Sequence, residues 1–367
     1  MTLSVAHYGQ EAQNRARAAE TGLKTGVLEP GELNMITDVP GVKVGHYTLR
    51  DGDAVRTGVT AILPHSGNLF AEKVPASIYC FNGFGKLAGY LQVKELGNIE
   101  TPVILTNTLN VGTAVDAVIR YSLRQKGNEN VRSVNAVVGE TNDGFLNDIR
   151  GQHVQAIHVE EAIRNASPGR VEEGNVGAGT GTTSMGFKAG IGTASRKTPP
   201  VGGVSYTVGV LVQSNFGREL ILNGIPVSWE ILNSIEKEED GSCMIVIATD
   251  APISSRNLER LARRSFTGMG RTTRFMSNSS GDFAIAFSTA YRIKHTGTVM
   301  ADDMPLLLGN NAMDGLFQAV EEATQEAIYN SLFMAEEMEG RDGNRAEAIP
   351  LDKVIELLKR HNIYKTE

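Results

Sequence analysis

The run GSCMIVIATDAP, from Gly241 to Pro252, is the strongest strand signal in the chain. Strands with one wet face alternate polar and apolar residues, whereas this one is apolar almost throughout, so both of its faces must be covered. Such a strand needs a packed layer above it and another below. Immediately after it, Ser254 and Ser255 offer an N-cap for a helix that places Leu258, Leu261, Ala262 and Ser265 on one face and ends near Gly268. FAIAFSTAYRI (283–293) then reads as a further strand, 312–338 as a long helix rich in Ala, Met and Glu, 340–350 as a loop, and DKVIELLKRHN (352–362) as an amphipathic helix.

Upstream the chain is charged without a break from Glu236 to Asp240, the composition of a solvated loop. PVGGVSYTVGVLVQSN (200–215) reads as a strand pair and 158–165 as a helix. MITDVPGVKVGHYTL (35–49), GVTAILPH (58–65), SIYCFNG (77–83), PVILTNTLN (102–110) and VNAVVGET (134–141) read as strands bounded by Gly, Pro or Asp. Val111 to Gln125 has helical spacing, with Ala114, Ala117, Val118 and Tyr121 on one face, and residues 8–24 suggest a helix or arm. Strand and helix do not alternate cleanly, so stacked sheets flanked by helices fit better than a doubly wound sheet.

Composition narrows the function classes. With 367 residues, 41% of them hydrophobic and 21% charged, the chain can bury a large core. A net charge of -7 argues against nucleic-acid or anionic-membrane partners. Cys80 and Cys243 are too few for a disulfide framework or a zinc site, the first 25 residues lack an apolar leader core, and no apolar run approaches bilayer length. These features predict a soluble, cytoplasmic protein. Gly177-Ala178-Gly179-Thr180-Gly181 lacks the full dinucleotide-loop spacing, and the seven histidines are scattered.

Gly241-Ser242 is chemically more specific. A cut before Ser242 would create a chain terminus carrying a nucleophilic hydroxyl and its own base, because an α-amine titrates at about 7.7 to 8.0. Glycine before the serine tolerates the backbone distortion that such a cut requires.

Several stretches, in order, carry a resemblance: ITDVPGVKVGHYTL, GETNDGFLNDIRG (139–151), GNVGAGTGTTSMGFKAGIGTAS (174–195), VQSNFG (212–217), DGSCMIVIATDAP (240–252) and SSGDFAIAFST (279–289). Together they resemble the DmpA-type family of L-aminopeptidases with D-esterase/D-amidase activity, grouped with the β-peptidyl aminopeptidases. The similarity runs from about residue 34 to 335. It implies an α+β fold, the four-layer α-β-β-α sandwich of the DmpA/ornithine acetyltransferase type, with residues 1–33 as an arm before one catalytic domain. It also implies a precursor that cuts itself between Gly241 and Ser242 into chains 1–241 and 242–367, which stay associated and assemble as homo-oligomers. The implied activity is release of small N-terminal residues from peptides, amides or esters without a metal or organic cofactor.

By the same resemblance Ser242 is the nucleophile, Asn215 supports the oxyanion, and Ser280 with Asp282 orients the nucleophile and its amine; some relatives carry Glu at the position of Asp282. Glu140 anchors the substrate ammonium. Some relatives have an oxyanion-donating tyrosine near Glu140; this chain has none between Tyr121 and Tyr206, which leaves Asn142 or a backbone N–H to substitute. Lys188 has either a structural role or one in cleavage. Acyltransferases similar to ornithine acetyltransferase, and nylon-oligomer hydrolases, are the neighbouring alternatives, and both use threonine where this chain has Ser242. An uncut, non-catalytic homologue is the remaining one.

Overall fold

A computed structural model describes residues 15–232, 241–296 and 304–363; the acidic run 236–240 and residues 8–14 of the expected helix lie outside them. Two sheets stack face to face. The first contains β1 (Lys43–Asp51), β2 (Val55–Leu63), β4 (Leu87–Ala88), β5 (Val103–Asn107) and β6 (Val137–Thr141), in the order β1-β2-β5-β6-β4. The second contains β3 (Glu72–Gly83), β7 (Ile191–Lys197), β8 (Thr207–Asn215), β9 (Ser242–Thr249), β10 (Gly281–Ser288) and β11 (Ile293–Lys294), in the order β7-β8-β9-β10-β3-β11, with Asn98–Ile99 also paired to β3. β5 runs parallel to β6 and β9 to β10; the other pairings among these strands are antiparallel.

All eight residues of β9 are buried, and their alternation shows why the strand is apolar throughout. Met244, Val246 and Ala248 face the core between the sheets, together with Leu211, Ile285 and Leu105. Cys243, Ile245 and Ile247 face the opposite side, covered by α4 (Ser255–Gly270) and α5 (Asp314–Phe333) through Leu258, Leu261, Ala323 and Ala327. The short helix α1 (Tyr90–Leu96) follows β4, and on the outer face of the first sheet α2 (Val111–Leu123) and α3 (Ala156–Arg164) pack Ala114, Ala117, Val118, Val159 and Ala162 against Val59, Ala61 and Ile104. The result is the expected α-β-β-α sandwich, with apolar residues of 3.6-residue period outside and of 2-residue period within. Ser254 caps α4 as expected, its hydroxyl accepting from the Asn257 N–H at 3.4 Å.

Two expectations need correction. Residues 200–215 contain one strand, β8, not a pair: ahead of it Gly202 and Gly203 turn the chain at φ +59° and +86° within an isolated Val201–Val204 bridge. The true partner is β7, inside the glycine-rich segment. Its sequence IGTASRK looks weak as a strand because of Gly192, yet α5 crosses so closely there that a Cβ on Gly192 would sit 2.0 Å from the Ala327 carbonyl oxygen. The described part of the N-terminal segment is not an α-helix either; it has only a 3-10 turn at Ala19–Thr21. Arg17 is buried, pairs with Glu173 at 2.7 Å and donates to the carbonyls of Leu33, Asn34 and Thr193. That set of acceptors draws the segment along the protein as a strap.

Candidate active site

Ser242 begins β9 and is the Cα partner of Asn215 on β8 and of Gly281 on β10. It has the parity of Met244, so its hydroxyl points between the sheets, toward the loop that follows β6. There the backbone N–H of Asn142 donates to Ser242 Oγ at 3.4 Å. The Asn142 side chain is used elsewhere: its Oδ1 accepts from the Gly144 N–H at 2.9 Å in an Asx turn. Of the two groups on Asn142 able to act on Ser242, it is the main-chain donor that reaches the hydroxyl.

Asn215 lies on the same face as Ser242, at the buried end of β8. The Thr183 N–H donates to its Oδ1 at 3.1 Å, which fixes the amide so that its NH₂ is the end available as a donor. Ser280 and Asp282 come from the other face. Asp282 is the Cα partner of Cys243, and Ser280 Oγ lies 3.2 Å from where a Cβ on Gly241 would be. The pair is therefore beside the backbone of the Gly241–Ser242 peptide, on the side away from the serine hydroxyl. Burial pushes the Asp282 carboxyl up to about 6, against the partial pull of the Ser280 hydroxyl and the Cys243 N–H.

Beside Ser242 is a cleft of about 300 Å³ lined by Gly83–Lys86, Thr108, Glu140, Asn142, Gly241 and Ser279. Its buried acid is Glu140, on β6 and 3% exposed. Oε1 accepts from the Lys86 N–H at 2.9 Å and lies 3.2 Å from Lys86 Nζ, and Oε2 accepts from the Thr108 hydroxyl. A carboxylate held by two neutral donors and one half-exposed lysine is pre-formed for a cation: an incoming ammonium can replace the lysine at little desolvation cost. Thr108, Lys86 and Thr183 carried no signal in the sequence, since each acts through a single contact fixed by the fold.

Lys188 is fully buried, and its Nζ donates to the carbonyls of Gly179, at 3.1 Å, and of Ala189. Burial depresses its pKa well below the usual lysine value. It does not line the cleft and serves as a brace for the glycine-rich segment. Gly177–Gly179 form a 3-10 turn packed inside the protein, not an open phosphate loop.

The residues expected from separate stretches of sequence thus converge on one peptide bond and one cleft, and comparison with known proteins bears on the family and the fold. The model of peptidase family S58 matches residues 34–346. The β-peptidyl aminopeptidase BapA of Sphingosinicella microcystinivorans is 39% identical over 362 residues, covering 91% of this chain and 89% of that protein. Among solved structures, the PH0078 protein of Pyrococcus horikoshii OT3 superposes with a TM-score of 0.89 at 47% identity, over 95% of this chain and 99% of that one. The L-aminopeptidase D-Ala-esterase/amidase of Ochrobactrum anthropi, described as a variant of the Ntn hydrolase fold, gives 0.88 at 35% identity over 95% and 99%. With the family model spanning most of the chain and relatives matched over nearly their full length, the chain belongs to peptidase family S58.

Proposed function

We propose that the protein is a self-processing serine aminopeptidase/amidase that removes small N-terminal residues from peptides, amides or esters. The observation that carries this reading is that the Ser242 hydroxyl and the buried Glu140 carboxylate share one cleft of about 300 Å³, near the lower end of ligand-pocket volumes. A small residue with a free ammonium fits between them: Glu140 takes the charge and Ser242 faces the carbonyl. Exopeptidase selectivity follows, since an acylated amine offers Glu140 no cation.

Cleavage between Gly241 and Ser242 would give chains 1–241 and 242–367, held together because β9 lies between β8 of the first chain and β10 of its own. The freed Ser242 amine is the general base. It takes the hydroxyl proton as Oγ adds to the substrate carbonyl and returns it to the leaving amine, and water then releases the acyl group. The Asn142 N–H and the Asn215 amide take the oxyanion, while Asp282, steadied by Ser280, holds the amine from the other face. No residue of this scheme requires a metal or organic cofactor. A cytoplasmic location and a homo-oligomer of the cleaved pair belong to the same reading; among the described residues no helix is long and apolar enough to cross a membrane.

The test is denaturing mass spectrometry of purified protein with N-terminal sequencing of any fragment. A fragment beginning Ser-Cys-Met-Ile, absent from Ser242→Ala, together with hydrolysis of amino-acid amides by the wild type alone, is the expected result. A wild-type chain that stays intact at 39.5 kDa, or a Ser242→Ala protein with normal turnover, would sink the reading.

A further inference from the structure

The Gly241–Ser242 peptide is part of the sheet ladder. The Gly241 carbonyl accepts the Gly281 N–H at 3.1 Å, and Gly281 is the residue opposite Ser242 on β10. Gly281 is held from two directions. Against one face lies the Phe84–Gly85 segment, so close that a Cβ on Gly281 would sit 2.6 Å from the Phe84 carbonyl oxygen. On the other, the non-strand residues leading into Gly281 are tied to β3 by the Asn82 side chain, in addition to the Ser277–Ser279 hydroxyl contact at 3.2 Å and the Ser280–Asp282 bond at 2.8 Å. Asn82 Nδ2 donates to the carbonyls of Ser280 and of Asn278, the latter at 2.9 Å, with the Ser277 carbonyl at 3.4 Å.

Asn82 owes this position to an irregularity in β3. The ladder pairs Asp282 with Asn82 but Phe283 with Cys80, so Phe81 is an extra residue that bulges the strand beside the site. The bulge sets Asn82 opposite Asp282 and aims its amide at the 277–280 turn. Without that anchor the turn has one internal main-chain bond, from the Ser280 N–H to the Ser277 carbonyl at 3.2 Å.

We propose that Asn82 is a positioning residue for chain cleavage: by fixing the 277–280 turn it holds the Gly281 N–H as the donor to the oxyanion formed when Ser242 attacks its own chain. The proposal rests on the self-processing reading above. In that step the Ser242 Oγ–C bond to Gly241 forms and the carbonyl π pair moves onto the oxygen facing Gly281. The C–N bond then breaks, and the hydroxyl proton ends on the departing amine. Water hydrolyses the resulting ester, leaving a Gly241 carboxylate and a Ser242 that carries both hydroxyl and amine. The donor is in place before reaction, which is where such stabilisation is most effective. It acts on a carbonyl that exists only before cleavage, whereas turnover draws on the Asn142 and Asn215 donors on the hydroxyl side. Asn82 thus bears more on maturation than on catalysis.

The experiment follows the conversion of full-length chain to fragments over time by denaturing mass spectrometry, for wild type, Asn82→Ala and Asn82→Ser, and measures kcat/KM on the isolated processed fraction of each. Losing a preorganised donor of this kind costs about 100-fold or more, so partial misplacement in Asn82→Ala should slow processing by about tenfold or more. Asn82→Ser, which keeps one hydroxyl donor, should lie between. The drop in processing rate should exceed the drop in kcat/KM several times over. Processing at the wild-type rate in Asn82→Ala overturns the proposal, as do equal losses in processing and kcat/KM accompanied by a lowered Tm. A wild type that never cleaves defeats the self-processing reading first, and that control keeps the two failures apart.

Discussion

The Ser280 hydroxyl donates to Oδ1 of Asp282 at 2.8 Å, while Oδ2 of the same carboxyl is buried without a hydrogen-bond partner among the described residues. Half of this carboxylate is satisfied and half is waiting. In the uncut chain the Ser242 nitrogen, one residue before the Cα partner of Asp282, is a neutral peptide that offers no charge; under the proposed cleavage it would become an amine.

That asymmetry gives a pH prediction. The Asp282 carboxyl is raised by burial from the usual 3.8 to about 6, so its contribution to stability is fully present below about 3.8 and is lost as pH rises through about 6. The ionised form therefore costs the uncut fold up to about 3 kcal/mol near neutrality, because each tenfold weakening of an acid corresponds to about 1.4 kcal/mol. In a Ser242→Ala background, Asp282→Asn should raise the unfolding free energy at pH 8 and change it little at pH 4. Urea titrations at the two pH values check this, and equal effects at both would show that the carboxyl is not perturbed.

Glu140 makes a separable prediction. Glu140→Gln keeps the shape and the Thr108 and Lys86 neighbours but removes the charge, and hydrogen bonds to charged groups contribute about 1.5–3 kcal/mol. Hydrolysis of free-amine substrates should lose about 10- to 150-fold in kcat/KM, mostly through KM. Processing at Gly241–Ser242 should continue, because that event binds no ammonium. Steady-state kinetics on one amino-acid amide beside a processing time course decides it.

The layers were readable in the sequence where one residue type repeated on a face. β9 announced itself because both faces are covered, α4 through Ser254 and its leucines, and α2 through its small residues. What stayed hidden was set by close approach between distant segments. Gly192 belongs to a strand only because α5 packs on its backbone, and Arg17 diverts the N-terminal segment because its acceptors lie up to 176 residues away. The site followed the same division. Ser242 stood out through its Gly241-Ser242 junction, and Asn215, Ser280, Asp282 and Glu140 were named only through the resemblance of their segments to a known family, whereas Asn82, Lys86, Thr108 and Thr183 became visible only once the loops were in contact.

The strap and α5 share a buried charge cluster whose removal should be costly. Arg196 pairs with Glu326 and lies 3.4 Å from Glu322, all with side chains at most 5% exposed, and it also donates to the Thr25 carbonyl at 2.7 Å. Arg196→Met would strand two buried carboxylates, a loss of about 3–5 kcal/mol for breaking such a pair from one side. Thermal unfolding should show it clearly, and adding Glu326→Gln should recover part of the loss. A single-mutant Tm within a degree of wild type would show that water reaches this cluster.

Asn215 permits a test that separates chemistry from architecture. Its Oδ1 holds the Thr183 N–H at 3.1 Å, a structural bond, while its NH₂ is the proposed oxyanion donor. Asn215→Ala loses both, and removal of one such donor costs about 10²–10³ in kcat. Asn215→Asp keeps an acceptor for Thr183 but sets a negative charge where the oxyanion develops. If the residue's importance lies in bracing Thr183, the Asp variant should be the better enzyme; if it lies in the donor, Asp should be no faster than Ala, with KM little changed in either. Because impaired cleavage would mask turnover, kcat must be referred to the amount of fragment beginning at Ser242. An Asp variant clearly faster than Ala would remove Asn215 from the oxyanion site and leave the Asn142 N–H as the donor on the hydroxyl side.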